Sequence, residues 1–356
     1  MSRHIAKHSL VLTLLSIFVF SIYVFNDFNA QADTALTSVK SELNVAKSLK
    51  VDSKQKSVDF YSGVSEDSHP PTLRMKGQIG QQADDLGVSF EERFIGPGGM
   101  KQTRDGGYLL ADTVNHRIVK KDKNSKNEFI IPLDSLHVPQ GLSESPNGEI
   151  HVIRRSDRSL FQDIYDKNGR LLRTLAIESD DELLRDYVGH FQTIHSRGKL
   201  YIANSLTVIR VEEDGKTVEV PGIPLNGKAD LYITSKMNED SSFEILLKDA
   251  NGDTKNSFKT QGQYQSLKAL HSDQSGRIFV EFEHNYESKV DGSDDSVSTF
   301  AGVIESYSDD GKFLSSHSFE KSLAVEVDRD LDIDDDGKVT LLTIGETEYE
   351  ILSWQN

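Results

Sequence analysis

The chain has 356 residues, with 57 Asp plus Glu against 40 Lys plus Arg and a formal net charge of -17. This acidic balance argues against a nucleic-acid binder and against a protein that docks on an anionic membrane surface, because Lys and Arg dominate both kinds of binding. A sequence without cysteine excludes disulfides, thiolate metal sites and a cysteine nucleophile, while 17 Phe, 11 Tyr and regularly spaced aliphatic residues still provide for a sizeable core.

The first 32 residues have the composition of an export signal. Arg3 and Lys7 precede an uncharged apolar run at 10–25, and Ala30 and Ala32 have the small-x-small spacing that a signal peptidase requires. We favour cleavage after Ala32; the alternative is an uncleaved anchor, although this run is shorter than the ~20 residues that span a bilayer. In both cases we expect the rest of the chain outside the cytoplasm, as a periplasmic, secreted or outward-facing anchored protein.

Residues 33–86 are rich in Ser, Lys, Asp and Gln and contain few aromatic side chains. A segment of this composition buries too little apolar surface to offset the entropy lost on ordering. We therefore predict a tether of low order over 33–86 and a folded domain over 87–356.

A turn glycine followed by alternating apolar residues recurs along the folded domain. The recurrences are DGGYLLA at 105–111, NGEIHVI at 147–153, RGKLYIA at 197–203, SGRIFVE at 275–281 and DGKVTLL at 336–342. SSFEILL at 241–247 fits the same frame without its glycine, so Ser242 marks the fourth unit. The average spacing of about 46 residues suits a four-stranded propeller blade.

A second hairpin signal follows in four of the units. Asn or Asp precedes a glycine between apolar strands at Gly169, Gly215, Gly252 and Gly311. Two hairpins per unit make a four-stranded antiparallel sheet, and no unit contains a helix-length amphipathic stretch. Because small sheets leave bare edges unless they are arranged radially, the sequence predicts an all-β, six-bladed β-propeller, with seven blades as the alternative.

The two ends of the repeat region predict how the ring closes. The last unit stops at EYEILSW, residues 348–354, and VSFEERFIG, residues 88–96, precedes the first unit as an unpartnered strand. We predict that 88–96 becomes the outer strand of the last blade. An open array with unpaired ends is the alternative.

The stretch PGGMKQTRDGGYLLADTVNHRIVKKD, residues 97–122, resembles the NHL repeat. The residues that fall on the NHL pattern are Pro97, Gly99, Gly107, Ala111, Asp112, Asn115, His116, Arg117 and Ile118. Unit two retains Pro139 and Gly141, and the later units retain only the strand-turn frame. The resemblance implies a propeller fold rather than an activity.

The polar residues of this motif are predicted to be structural. Asp112, Asn115, His116 and Arg117 are expected to tie the turn that follows the second strand to neighbouring backbone, since buried polar groups require partners.

Aligning the units by their turn markers places one residue of each unit just before the innermost strand. These residues are Gly98, Gln140, His190, Thr234, Lys268 and Arg329. Innermost strands line the channel of a propeller, so His190, Lys268 and Arg329 would present positive charge to an anion or a peptide carboxylate. Together with Gln140 they are the predicted axial ligand-binding residues. A single histidine in this set counts against the multi-blade metal site of the NHL-like peptidylglycine amidating lyases.

The acidic run DRDLDIDDDG at 328–337 suggests a calcium loop. Asp332, Asp334 and Asp336 before Gly337 match the opening of such a loop, but the twelfth position is a threonine instead of a bidentate glutamate. We favour the structural interpretation, in which these residues form a strand end and a hairpin turn. Calcium is the only cofactor that the sequence suggests.

Two classes of function remain. The favoured one is an exported, monomeric binding module for a protein, peptide or envelope polysaccharide, with membrane contact only through an uncleaved N-terminal segment. The alternative is a propeller enzyme, a metal-assisted lyase or hydrolase with an axial active site.

Overall fold

A computed structural model describes most of the chain from residue 71 onward. The described ranges are 71–88, 96–134, 138–156, 159–179, 191–204, 207–228, 230–289, 296–320, 329–345 and 347–354. They contain β-strands, turns and bends, and no helix among them is long and apolar enough to cross a membrane. The predicted export signal and its cleavage site lie outside the described residues.

The described strands form six four-stranded antiparallel sheets, which confirms the six-bladed β-propeller. The first strand of the chain is β1 (Thr72–Gln78). Blade one consists of β2 (Gly99–Gln102), β3 (Tyr108–Asp112), β4 (Arg117–Lys121) and β5 (Asn127–Pro132). Blade two consists of β6 (Val138–Glu144), β7 (Ile150–Ser156), β8 (Ser159–Tyr165) and β9 (Leu171–Ile177). Blade three consists of β10 (Gln192–Ser196), β11 (Lys199–Ala203), β12 (Val208–Val211) and β13 (Thr217–Val220).

Blades four to six complete the ring. Blade four consists of β14 (Ile223–Pro224), β15 (Tyr232–Met237), β16 (Phe243–Lys248) and β17 (Thr254–Lys259). Blade five consists of β18 (Ser266–Ser272), β19 (Ile278–Lys289), β20 (Ser296–Tyr307) and β21 (Phe313–Glu320). Blade six consists of β22 (Leu331–Ile333), β23 (Val339–Ile344) and β24 (Glu348–Trp354), with β1 as its outer strand. Each blade therefore runs from an inner first strand to an outer fourth strand.

The strand that closes the ring differs from the prediction. β1 pairs antiparallel with β24, from Thr72 opposite Ser353 to Gln78 opposite Glu348. This outer position had been assigned to VSFEERFIG at 88–96, of which residues 89–95 lie outside the described residues. The propeller thus includes residues 72–78, which the sequence analysis had placed in the tether.

Glycines with positive φ form the turn between the first and second strands of every blade. They are Gly106, Gly148, Gly198, Gly227, Gly276 and Gly337, with φ between 70° and 87°. A residue with a side chain is strained at positive φ, so glycine recurs at this turn. The turn glycine therefore identifies a blade more reliably than the strand that follows it. Gly227, and not Ser242, is the marker of blade four, because the SSFEILL segment forms the third strand, β16.

The core is divided into clusters that lie between neighbouring blades. Leu109, Ala111 and Ile118 of blade one pack against Ile150 and Val152 of blade two. Other clusters join blades two and three, blades three to five, blades five and six, and blade six with blade one. Both faces of a blade are therefore apolar, which explains why the strands after the turn glycines contain few exposed positions.

Candidate functional site: the axial cavity

The first strands of the six blades surround a cavity of about 470 Å³ on the propeller axis. All six of them, β2, β6, β10, β14, β18 and β22, contribute to its wall. At one end the cavity is lined by Phe191 and Arg329, which precede the inner strands β10 and β22. At the other end, the turn end, it is lined by Arg104 and Asp335, in the turns that follow the inner strands β2 and β22. A volume of this size suits a small organic ligand or the end of a polymer.

Five polar residues at equivalent positions form what we call the polar collar of the cavity. Each lies five positions before the turn glycine of its blade, and together they are Lys101, Ser143, Thr193, His271 and Asp332. None of them was predicted as an axial residue, and Asp332 had been considered only for calcium. Counting five instead of eight positions back from each glycine would have found them.

The charges of the collar are paired within it. Lys101 Nζ lies 2.7 Å from Asp332 Oδ1, and the other Asp332 oxygen accepts the Gln102 backbone N–H at 2.8 Å. The hydroxyl of Thr193 donates to the carbonyl of Leu142 in the neighbouring blade. These bonds join blade one to blade six and blade two to blade three, so the collar also fixes the arrangement of the blades.

The turn end of the cavity is rich in carboxylates. Arg104 binds Asp335 at 2.6 Å, and its backbone N–H donates to Glu144 Oε2 at 2.7 Å. Burial raises the pKa values of Glu144 and Asp334, both of which are half-buried. A ligand that enters here meets hydrogen-bond acceptors and one arginine.

A cluster of Ser143, His151 and His195 borders the cavity between blades two and three. Ser143 and His151 are cross-strand partners on β6 and β7, and the His151 and His195 rings meet edge to face with centroids 4.3 Å apart. Gln162 Nε2 lies 2.6 Å from His151 Nδ1, and Glu149 Oε2 lies 3.9 Å from His151 Nε2. Ser143 Oγ, His151 Nε2 and His195 Nε2 are buried without a hydrogen-bond partner among the described residues.

Both histidines of the cluster are held in the neutral form at pH 7. Burial lowers the pKa of His151 to about 4, and Glu149 only partly counteracts it. Burial also lowers the pKa of His195 to about 3, with further contributions from His151, Lys101 and Arg104. The cluster therefore holds two uncharged imidazoles beside two cations.

These two histidines predict a loss of stability in mild acid. In the unfolded chain each takes up a proton near pH 6.5, whereas in the folded protein each stays neutral until about pH 4 or 3. Their stabilisation is thus complete above pH 6.5 and is lost as the pH falls below it. Between pH 7 and pH 5 we expect the free energy of unfolding to fall by roughly 2 kcal/mol for each histidine.

Urea unfolding at pH 7 and pH 5 measures this effect, with His195→Gln as the comparison. The variant lacks one titrating group, so it should lose roughly 2 kcal/mol less than the native protein over the same interval. An equal loss in both proteins would show that His195 titrates normally in the folded state.

A second polar network reaches the cavity from blade five. His271 Nε2 lies 3.7 Å from the buried Glu281, and Lys268 Nζ lies 3.6 Å from the same carboxylate. Lys268 also binds Asp330 at 2.5 Å and lies 3.8 Å from Glu283. The ammonium group of Lys268 is therefore surrounded by carboxylates of blades five and six.

The structure places the predicted axial residues in different surroundings. Arg329 lines the cavity, and His190 lies outside the described residues. Gln140 and Lys268 are not among the lining residues, because each is the extra residue of a β-bulge in its inner strand. Gln140 accepts a hydrogen bond from Arg155 Nε at 3.0 Å instead.

The residues considered for calcium lie at the turn end of the cavity. Asp332 is bound by Lys101 and Gln102, while Asp334 Oδ1 accepts the backbone N–H groups of Asp336 and Lys338 at 3.0 and 2.9 Å. This is the hairpin turn of the structural interpretation. In the part of the chain that the structure describes, no group of three or more His, Asp or Glu is arranged to hold a metal ion.

Asp112, Asn115 and Arg117 of the NHL-like motif have the predicted structural role, whereas Nδ1 of His116 is buried without a hydrogen-bond partner among the described residues. Asp112 accepts hydrogen bonds from Gly87 N, Asn115 Nδ2 and Arg117 Nε at 2.7 to 3.0 Å. Asn115 also donates to the carbonyl of Gly80, and Arg117 donates to two further carbonyls of this segment. The motif thus anchors the chain that leads from β1 into blade one.

Together these features define the class of protein: an all-β, six-bladed β-propeller with a polar axial cavity. No protein-family model and no curated protein matches the chain. The gluconolactonase from Xanthomonas campestris is 10% identical, with a TM-score of 0.46 over 82% of this chain and 97% of that one.

Two further solved structures resemble the chain to the same extent. The virginiamycin B lyase from Staphylococcus aureus is 11% identical, with a TM-score of 0.44 over 80% of this chain and 100% of that one. A member of the DUF4221 family from Bacteroides vulgatus is 11% identical, with a TM-score of 0.44 over 80% of this chain and 97% of that one. At these identities and scores the likeness concerns the architecture and carries no argument for an activity.

Proposed function

We propose that this protein is an exported, monomeric binding module that takes part of a protein, peptide or envelope polysaccharide into its axial cavity. The observation that carries the proposal is the convergence of polar side chains from five blades on one cavity of about 470 Å³. Concave sites with a few converging polar groups are the usual form of ligand sites in proteins. The rigid ring of interlocked blades would hold these groups in place before the ligand arrives, which lowers the entropic cost of binding.

A blocking substitution at the turn end of the cavity tests the proposal. Gln274 lines the cavity and its side chain is exposed, so Gln274→Trp should narrow the entrance without disturbing the core. Leu314→Trp, on the exposed outer strand β21, is the matched control because it adds a similar ring away from the axis. Both variants should melt at the temperature of the native protein.

Binding is measured by calorimetry against a panel of envelope glycans and short peptides. We expect at least one panel member to bind the native protein and Leu314→Trp, and to bind Gln274→Trp at least tenfold more weakly. Equal affinity of all three proteins for every ligand would place binding elsewhere and contradict the proposal. Chemical turnover of a bound panel member would instead support the enzyme alternative.

The export part of the proposal rests on the basic and apolar residues of the first 32 positions. We expect the mature protein to begin at Asp33 and to be found outside the cytoplasm. N-terminal sequencing of the protein from a fractionated host decides this. A chain that keeps residues 1–32 and partitions with membranes would support the anchor instead, and a chain found in the cytoplasm would contradict export.

A further inference from the structure

We infer that Ser143, His151 and His195 form a subsite for a carboxylate group of the ligand; this inference rests on the proposed function of the cavity. The three side chains come from the facing blades two and three, and Ser143 and His195 line the cavity itself. Their three buried polar atoms have no hydrogen-bond partner among the described residues. Buried polar groups without partners are rare, and a further group that bonds them is one explanation of such a cluster.

The hydrogen-bonding character of these atoms points to an acceptor. Gln162 Nε2 donates to His151 Nδ1, so the neutral ring carries its proton on Nε2 and presents a donor there. The hydroxyl of Ser143 is also able to donate, and His195 Nε2 donates in one tautomer and in its charged form. A carboxylate offers two oxygens with several lone pairs, so it is able to accept from two or three such donors.

Two cations act on His195, and each of them is paired with a carboxylate of blade six. They are Lys101 of β2, which is bound to Asp332, and Arg104 of the next turn, which is bound to Asp335. Two charged groups also act on His151: Glu149, before β7, raises the pKa of its ring, and Arg173, on β9, lowers it. A carboxylate bound at His195 would make protonation of this ring easier.

The subsite should therefore bind its ligand together with a proton. A carboxylate in contact with His195 raises the pKa of this ring, because an opposite charge stabilises the charged form. The affinity should rise as the pH falls from 7 to 5, because the complex takes up a proton that the free protein does not. The carboxylate has two natural sources, the C-terminus of a peptide and a uronic acid of an envelope polysaccharide.

Four probes separate these possibilities: trialanine with a free carboxylate, trialanine amide, glucuronate and glucose. Their affinities for the full mature protein are measured by calorimetry at pH 7 and pH 5, with imidazole NMR to follow the two histidines. We expect one acid to bind more tightly at pH 5 than at pH 7, and its neutral counterpart to bind at least tenfold more weakly than the acid. The acid that binds identifies the peptide or the polysaccharide source.

Variants test the assigned atoms. Ser143→Ala should weaken the acid roughly tenfold at both pH values, because one hydrogen bond to a charged group is lost. His195→Gln should weaken binding and abolish its pH dependence, since the amide does not take up a proton. Val218→Ala on the outer strand β13 is the control and should bind as the native protein does.

Two outcomes overturn the inference. If the neutral probes bind as well as the acids and Gln274→Trp blocks them, the cavity binds ligands but does not recognise a carboxylate. The subsite is also wrong if no acid binds at millimolar concentration, or if binding leaves the imidazole signals of His151 and His195 unchanged. In that case the glycan and peptide panel decides the proposed function separately.

Discussion

Replacing Asp112 by alanine is expected to lower the free energy of unfolding by about 3–5 kcal/mol. The carboxylate is fully buried and accepts hydrogen bonds from Arg117, Asn115 and the backbone of Gly87. The Arg117 side chain is only 11% exposed, so removal of its partner leaves a buried guanidinium without its counter-charge. Urea unfolding of the native protein and the variant at pH 7 measures the difference.

The matched control for Asp112 is an ion pair of the same kind on the surface. Asp214 and Lys216 lie 2.9 Å apart, and both side chains are more than half exposed. Asp214→Ala should leave the unfolding curve nearly unchanged, because water and salt screen an exposed pair. A similar small effect of both substitutions would show that the Asp112 cluster contributes no more than a surface pair.

The repeated part of the fold was predictable because its signals are local. Gly169, Gly215, Gly252 and Gly311 all have positive φ and lie between third and fourth strands, as their Asx-Gly sequences predicted. A two- to four-residue turn fixes the register of its own hairpin without reference to the rest of the chain. The count of six blades follows from these hairpins together with the glycine turns between the first and second strands.

The fourth blade shows where this local argument fails. Its turn glycine, Gly227, stands in the sequence PLNGKADLYIT, where four residues separate the glycine from the second strand. SSFEILL has the stronger alternation but is the third strand of the blade. Alternation identifies a strand, whereas the position of the strand in the sheet depends on partners that are distant in sequence.

The cavity lies on the predicted axis and Arg329 lines it, but Gln140 and Lys268 do not. The innermost strands do line the axis, as predicted, yet bulges at Gln140 and Lys268 displace the residues eight positions before the turn. A bulge adds one residue to one strand, so the side chains beyond it point to the opposite face of the sheet from the one that simple alternation predicts. Nothing in the sequence marks these two bulges. The collar lies beyond the bulges, closer to the turn, where the register is fixed by the glycine.

The closing strand escaped prediction for a related reason. Of the seven residues of β1, only Met75 is buried, so TLRMKGQ shows no period of two. Its partner β24 is more than 250 residues away, and the register contains an irregularity between Leu73 and Met75. VSFEERFIG has more apolar residues and looks more like a strand, although apolar content alone does not determine pairing.

Met75→Ala is expected to lower the free energy of unfolding by about 2–5 kcal/mol if β1 closes the ring. Met75 is 2% exposed and packs in the cluster between blades six and one, with Met100, Leu110 and Tyr349. Truncation leaves a cavity at the seam of the propeller, where six residue pairs join β1 to β24. Urea unfolding of the full mature chain measures the effect.

Leu73→Ala on the same strand is the control for this closure. Leu73 is 52% exposed, so its truncation should change the stability by no more than ~0.5 kcal/mol. A chain that begins at residue 87, the predicted domain boundary, should be destabilised further than Met75→Ala, because it also lacks the backbone hydrogen bonds of β1 and leaves β24 as a bare edge. If that shortened chain unfolded at the same urea concentration as the full mature protein, another segment would close the ring and the pairing of β1 with β24 would be wrong.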